Sequence, residues 1–199
     1  MNDKWSDLEN ECKGCLSCQL CQTRHSVVFG MGRTDSEVLF VGEGPGQTED
    51  ETGLPFVGRA GQLLDKIMSG VGMYRKDIYI TNIVKCRPPQ NRDPRPEEQQ
   101  QCMKWLDRQI EIMHPRIIVC LGRISAQVLI KPDFRVTKEH GVFIKKDDIL
   151  MMGTFHPSAL LRNPGNRPLC FEDFRLLRDK INELCTRSII ADITAQPEN

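Results

Sequence analysis

The chain has 199 residues, and its 27 Lys and Arg are balanced by 27 Asp and Glu. That length supports one substantial core and a single domain, and zero net charge excludes a protein held to nucleic acid by bulk charge, though not one with a local basic groove. No apolar run approaches the ~18 residues of a membrane span. The polar start MNDKWSDLENE lacks a signal-peptide pattern, so a cytoplasmic protein is expected, in which nine cysteines point to metal or redox chemistry before disulfides.

In chain order, the first feature is NECKGCLSCQLCQTR, with Cys12, Cys15, Cys18 and Cys21 evenly spaced. It departs from the ferredoxin run C-x2-C-x2-C-x3-C-P, and two such pairs would also satisfy zinc. Taken alone, the stretch leaves an iron–sulfur cluster, zinc and thiol redox chemistry open. Residues 37–41 (EVLFV) form a short apolar run closed by Gly42, the pattern of a buried strand. Residues 60–71 carry Leu63, Leu64, Ile67, Met68 and Val71 at helical spacing, and 77–84 (DIYITNIV) read as a second strand. Pro96 opens a helix whose apolar face is Cys102, Trp105, Leu106, Ile110 and Met113. A third strand spans 116–121, with a short helix after Gly122. Residues 142–144 and 149–155 read as strands joined by KKDD, and 171–184 as a last amphipathic helix. The expected domain is 1–185, with 186–199 as a loose tail.

Strands alternating with helices predict a single-domain, three-layer α/β/α fold around a mainly parallel sheet. Ligands then bind beyond the carboxyl ends of the strands. Those ends carry GEGPG (42–46), Asn82 and Cys86, Gly122, and HPS (156–158). The glycine loop lacks the Lys-Ser/Thr of a nucleotide loop and by itself is equally a tight turn. Phe56, flanked by Gly53, Pro55 and Gly58, suits a stacking platform or a core plug. His156 is catalytic or structural. Leu160, Leu161 and Arg162 suit a wedge into stacked bases or a cap on the core. Cys120, Cys170 and Cys185 read as core thiols.

Together, CLSCQL, VGEGPGQTEDETGLPFVGRAG, YITNIVKCRPPQNRDPRPEEQQQC and GTFHPSALLRN resemble the family 4, iron–sulfur uracil-DNA glycosylases, in order and spacing from Cys15 to Leu184. The resemblance implies a [4Fe–4S] cluster on Cys15, Cys18, Cys86 and Cys102, with Cys12 and Cys21 as spectators. It implies an enzyme that flips uracil from single- or double-stranded DNA and hydrolyses its N-glycosidic bond, acting as a monomer and initiating base excision repair. Excision needs a donor for the charge growing on the uracil ring, a stacking face and an edge reader. The matching positions are His156, Phe56 and Asn82, with Gly42, Glu43 and Gly44 lining the pocket. In a related family with GQDPYH an aspartate positions water where Gly44 stands here; Glu43, Glu49 and Asp50 are the remaining candidates, with Glu49 also a candidate to exclude thymine's methyl. Leu160 is the implied wedge. Arg162, Arg92 and Arg95, with Arg87, are placed for DNA. A relative that traps uracil covalently would carry a histidine in the loop RPPQNRDPRP, and none is there. The rival from another class is a non-catalytic iron–sulfur DNA-binding module of a larger assembly, which would need neither HPS nor Phe56 with Asn82.

Overall fold

The structure, a computed structural model, describes residues 2–188 and residue 190. Its elements in chain order are α1 (Asn2–Lys13), β1 (Met31–Gly32), β2 (Val38–Gly42), α2 (Gln47–Thr52), α3 (Arg59–Ser69), β3 (Tyr79–Asn82), α4 (Pro96–Met113), β4 (Ile117–Leu121), α5 (Arg123–Leu129), α6 (Val136–Glu139), β5 (Phe143–Lys146), β6 (Ile149–Thr154), α7 (Pro157–Arg162) and α8 (Arg167–Leu184). The sheet order is β1-β3-β2-β4-β6-β5. The inner four strands are parallel, and the two edge strands run antiparallel.

All five residues of β2 and of β4 are buried, as a parallel strand covered on both faces requires. Val38 and Phe40 point into a core built with α3, α7 and α8, where Leu64, Leu160, Phe174 and Ile181 pack. Leu39 and Val41 point into a second core with α1, α4 and α5, where Trp5, Trp105, Leu106 and Leu129 pack. This is the expected α/β/α arrangement. From β2 the chain runs to β3 on one side, then returns through α4 to β4 on the other, so the strand order switches at β2. A crevice at the carboxyl ends follows from that switch. Among the described residues, no helix is long and apolar enough to cross a membrane.

Some elements differ from expectation. The start, read only as a polar stretch, is helix α1; Trp5, Leu8 and Cys12 are its buried stripe, and Trp5 meets Tyr79 edge-on at 4.9 Å. The second strand is shorter than 77–84, because a 3-10 turn at Arg75–Asp77 precedes it. The last helix starts at Arg167, with Pro168 in its first turn. The described residues of the expected tail, 186–188 and 190, are hydrogen-bonded to the body of the fold. The backbone N–H groups of Thr186 and Arg187 donate to Glu37 Oε2 at 2.8 and 2.6 Å, Ser188 Oγ accepts from Glu37 N, and Ile190 is tied to Asn182. A buried carboxylate thus anchors this segment. Residue 189 and residues 191–199 of the expected tail lie outside the described residues.

Candidate active site

A cleft of about 690 Å³ opens at the carboxyl ends of the inner strands. Glu43 and Gly44 after β2, Asn82 at the end of β3, Gly122 after β4 and His156 after β6 line it together with Phe56. Gly42 lies beneath them: a Cβ there would fall 2.4 Å from Asn82 Oδ1 and 2.5 Å from Phe56 Cζ. Only glycine lets the amide and the aromatic ring approach the strand end this closely. Phe56 sits at φ 54°, a left-handed conformation that an aromatic residue keeps only when its surroundings impose it. They do so here. Arg75 donates to the carbonyls of Pro55 and Phe56 and is itself held by both oxygens of Asp65. Gly61 on α3 leaves room for the same turn, since a Cβ would collide with the Phe56 carbonyl. The ring centroids of Phe56 and His156 are 5.8 Å apart, tilted by 37°.

Asn82 is 1% exposed. Its Oδ1 is the only buried side-chain polar atom among the described residues that lacks a hydrogen-bond partner. An orphan of that kind is costly unless a ligand completes it, and this one is in the cleft wall.

His156 caps α7. Its Nδ1 accepts from the Ser158 backbone N–H at 3.1 Å and lies 2.7 Å from Ser158 Oγ. With Nδ1 accepting, the proton of the neutral ring is on Nε2. Burial, and then the nearby Arg162, lower the pKa of His156 to about 4, so the ring is neutral at physiological pH.

The three candidate carboxylates separate by their partners. Glu49 Oε1 accepts from the N–H groups of Val57 and Gly58 at 3.0 and 2.8 Å, holding the Phe56 turn against the start of α3. Asp50 is 1% exposed and accepts from His25 and Ser26 N–H. Among the described residues, the Glu43 carboxylate has no such partner. Burial, and next the charge of Asp93, push its pKa up to about 7 against the pull of Arg123 and Arg162.

Leu160 is fully buried in the core shared by α3, α7 and α8, which overturns its reading as the wedge. Proline at the first position of α7 and the His156 cap fix the helix so that Leu160 faces inward and Arg162 outward. Arg162 lines the cleft, as does Arg92. Both Arg92 terminal nitrogens are engaged by Glu98, whose Oε2 also accepts from Arg95 N. The Arg95 side chain is exposed.

Beside the cleft, Cys15, Cys18, Cys86 and Cys102 line one cavity; Cys12 and Cys21 also reach its wall. Three N–H groups donate to sulfur: Trp105 Nε1 to Cys15 at 3.4 Å, Arg24 to Cys86 at 3.3 Å and the Lys85 backbone to Cys102 at 3.3 Å. Burial alone would raise the Cys15 thiol, but hydrogen bonds with Ser17 and Trp105 bring it below its ordinary value. Among the described residues, no three His, Cys, Asp or Glu side chains converge on a point suited to one metal ion. Sequence reasoning missed Lys85, which is 1% exposed. Burial lowers its pKa to about 8. A lysine among apolar strand residues, directly before Cys86, was the available signal.

Residues 29–179 match the uracil DNA glycosylase superfamily, and the chain belongs to that family. Within it, the chain is similar to a type-4 uracil-DNA glycosylase of Archaeoglobus fulgidus, 41% identical over 187 residues that cover 90% of this chain and 92% of the relative. It is also similar to one of Thermotoga maritima, 45% identical over 179 residues, covering 86% of this chain and 91% of the relative. A third, of Sulfurisphaera tokodaii, is 41% identical over 186 residues, 89% of this chain and 84% of the relative.

Proposed function

We propose that this protein is a uracil-DNA glycosylase that hydrolyses the N-glycosidic bond of a flipped deoxyuridine, leaving an abasic site and so starting base excision repair in the cytoplasm. The carrying observation is Asn82, a residue of the cleft wall whose buried Oδ1 has no hydrogen-bond partner. Uracil offers one N–H in its ring edge, at N3, next to the O4 acceptor; the Asn82 amide complements both. Phe56 supplies the stacking face. As the bond breaks, negative charge grows on uracil O2, and His156 Nε2–H donates to it from a neutral ring. Positive charge grows on the sugar, and Glu43, the one candidate carboxylate left without a structural partner, faces that charge and orients the water that adds to it. Arg162 and Arg95 bind DNA phosphates flanking the flipped nucleotide, and the enzyme acts as a monomer. Incubation with an end-labelled uracil oligonucleotide, followed by alkali, is expected to give one cut at the uracil. Intact strands at high enzyme concentration would rule the activity out.

The cysteine cavity fits a [4Fe–4S] cluster: four sulfurs from three chain segments, three of them already accepting N–H donors, as thiolate ligands of a cluster do. Cys15, Cys18, Cys86 and Cys102 hold it. Bound there, it would supply covalent ties between the N-terminal arm, the loop after β3 and α4; no step of the excision passes through it. The purified protein is therefore expected to be brown. Alanine at any of those four positions bleaches the visible band, whereas Cys12→Ala and Cys21→Ala keep it. Colour surviving Cys86→Ala, or lost with Cys21→Ala, would replace this ligand set.

A pH dependence follows from Glu43. Its ionised form is the useful one, and its pKa is about 7. The single-turnover rate should rise with pH below about 7 and level off above it, while His156, neutral above about 4, leaves no mark in that range. Glu43→Gln should lower the plateau and abolish the slope. A slope that persists in this variant assigns the titration to another group.

A further inference from the structure

Lys85 occupies the ground between the two sites. Its Nζ donates to Thr81 Oγ1 at 2.6 Å, to the Asn82 carbonyl at 2.9 Å and to Gln109 Oε1 at 2.7 Å. All three partners are neutral oxygens, one for each N–H of an ammonium, and among the described residues no carboxylate is bonded to it. Lys85 also lines the cysteine cavity, where its backbone N–H donates to Cys102 Sγ. A buried cation without a nearby anion is expensive to keep. Four thiolates around an iron–sulfur core carry net negative charge, and the cavity wall that Lys85 shares is where that charge would sit.

We propose that Lys85 is a positioning residue that couples the occupancy of the cysteine cavity to the uracil reader. The anionic cluster holds the ammonium in place, and the ammonium holds the backbone of Asn82 through its carbonyl. The path is short. Beyond the strand ends, the N–H groups of Ile83 and Val84 donate to the carbonyls of Gly42 and Glu43, so the cleft wall and Cys86 share one held segment with Lys85 inside it. Gln109 completes the brace from α4, its Nε2 donating to the Phe29 carbonyl that Thr81 Oγ1 also donates to. Because coupling between two sites is reciprocal, filling the uracil pocket must tighten the hold on the cluster.

This inference rests on the proposed cluster and uracil pocket, and its test separates the two. The brown holoprotein is treated with excess EDTA, and loss of its visible absorbance is timed with and without saturating free uracil. Uracil should slow the loss by ~5-fold or more, the lower end of ordinary coupling. In Lys85→Met the loss should be faster, and the effect of uracil should vanish although calorimetry still detects uracil binding. Gln109→Met, which removes one acceptor and leaves the lysine, should weaken the effect and serves if Lys85→Met cannot be isolated with its cluster. No effect of uracil on the parent, or a full effect in either variant, overturns the coupling. A colourless parent, or one that binds no uracil, overturns instead the function proposed above.

Discussion

His156→Ala is expected to slow uracil release in a single turnover by ~10²–10³-fold, the range for removing one donor aimed at developing charge. Affinity for uracil-containing DNA should change little, because the bond to O2 strengthens only as the glycosidic bond breaks. The tautomer makes the expectation specific. Ser158 N–H occupies Nδ1, so the Nε2 proton is the one the ring can offer, and burial keeps the ring neutral. A neutral donor does not surrender its proton, so the solvent isotope effect should stay small. The same substitution removes the cap of α7, worth about 1 kcal/mol of stability, so melting of the variant has to be compared with the parent. A near-parental rate in a folded variant would make His156 a cap and nothing more.

Asn82→Asp should cost at least ~10-fold in uracil excision. The carboxylate still accepts from N3–H, but its second oxygen then faces O4, acceptor against acceptor, and an unsatisfied buried contact costs about 1–3 kcal/mol, or roughly a decade in rate per 1.36 kcal/mol. Cytosine presents an amino group at that position, so the ratio of cytosine to uracil excision should rise even while both are slow. Single-turnover assays on one strand containing either base give both numbers. Uracil excision within about twofold of the parent, far short of that decade, removes Asn82 as the edge reader.

Most strand ends were readable because a sheet buried on both faces demands near-continuous apolar runs, and three of them stop at a residue with different chemistry, Gly42, Gly122 and His156; Asn82 instead lies inside the run 77–84 and ends its strand only in the structure. The layers followed from the alternation. Other features depend on contacts that no local pattern encodes. Helix α1 has only Trp5, Leu8 and Cys12 to bury in an otherwise acidic stretch, and it is a helix because α4 and Tyr79 cover that stripe. Leu160 and Leu161 are neighbours of equal hydrophobicity, and which one turns inward depends on the direction α7 takes from its cap. Glu43, Glu49 and Asp50 were indistinguishable as residue types. The bonds to Val57, Gly58, His25 and Ser26 divide them, and none of those partners is a neighbour that helix or strand spacing would point to. Lys85 looked like an ordinary charge because its acceptors come from β3 and α4.

The cysteine cavity draws its walls from the arm before β1, the loop after β3 and the first turns of α4. During synthesis at about 5–20 residues per second, Cys15 and Cys18 leave the ribosome several seconds before Cys86 and Cys102. In that interval the first pair is exposed to oxidants and to stray zinc, with neither Trp105 nor Lys85 beside it. On the ligand set proposed above, loading of a cluster has to wait until Cys102 has emerged and α4 has folded against the arm.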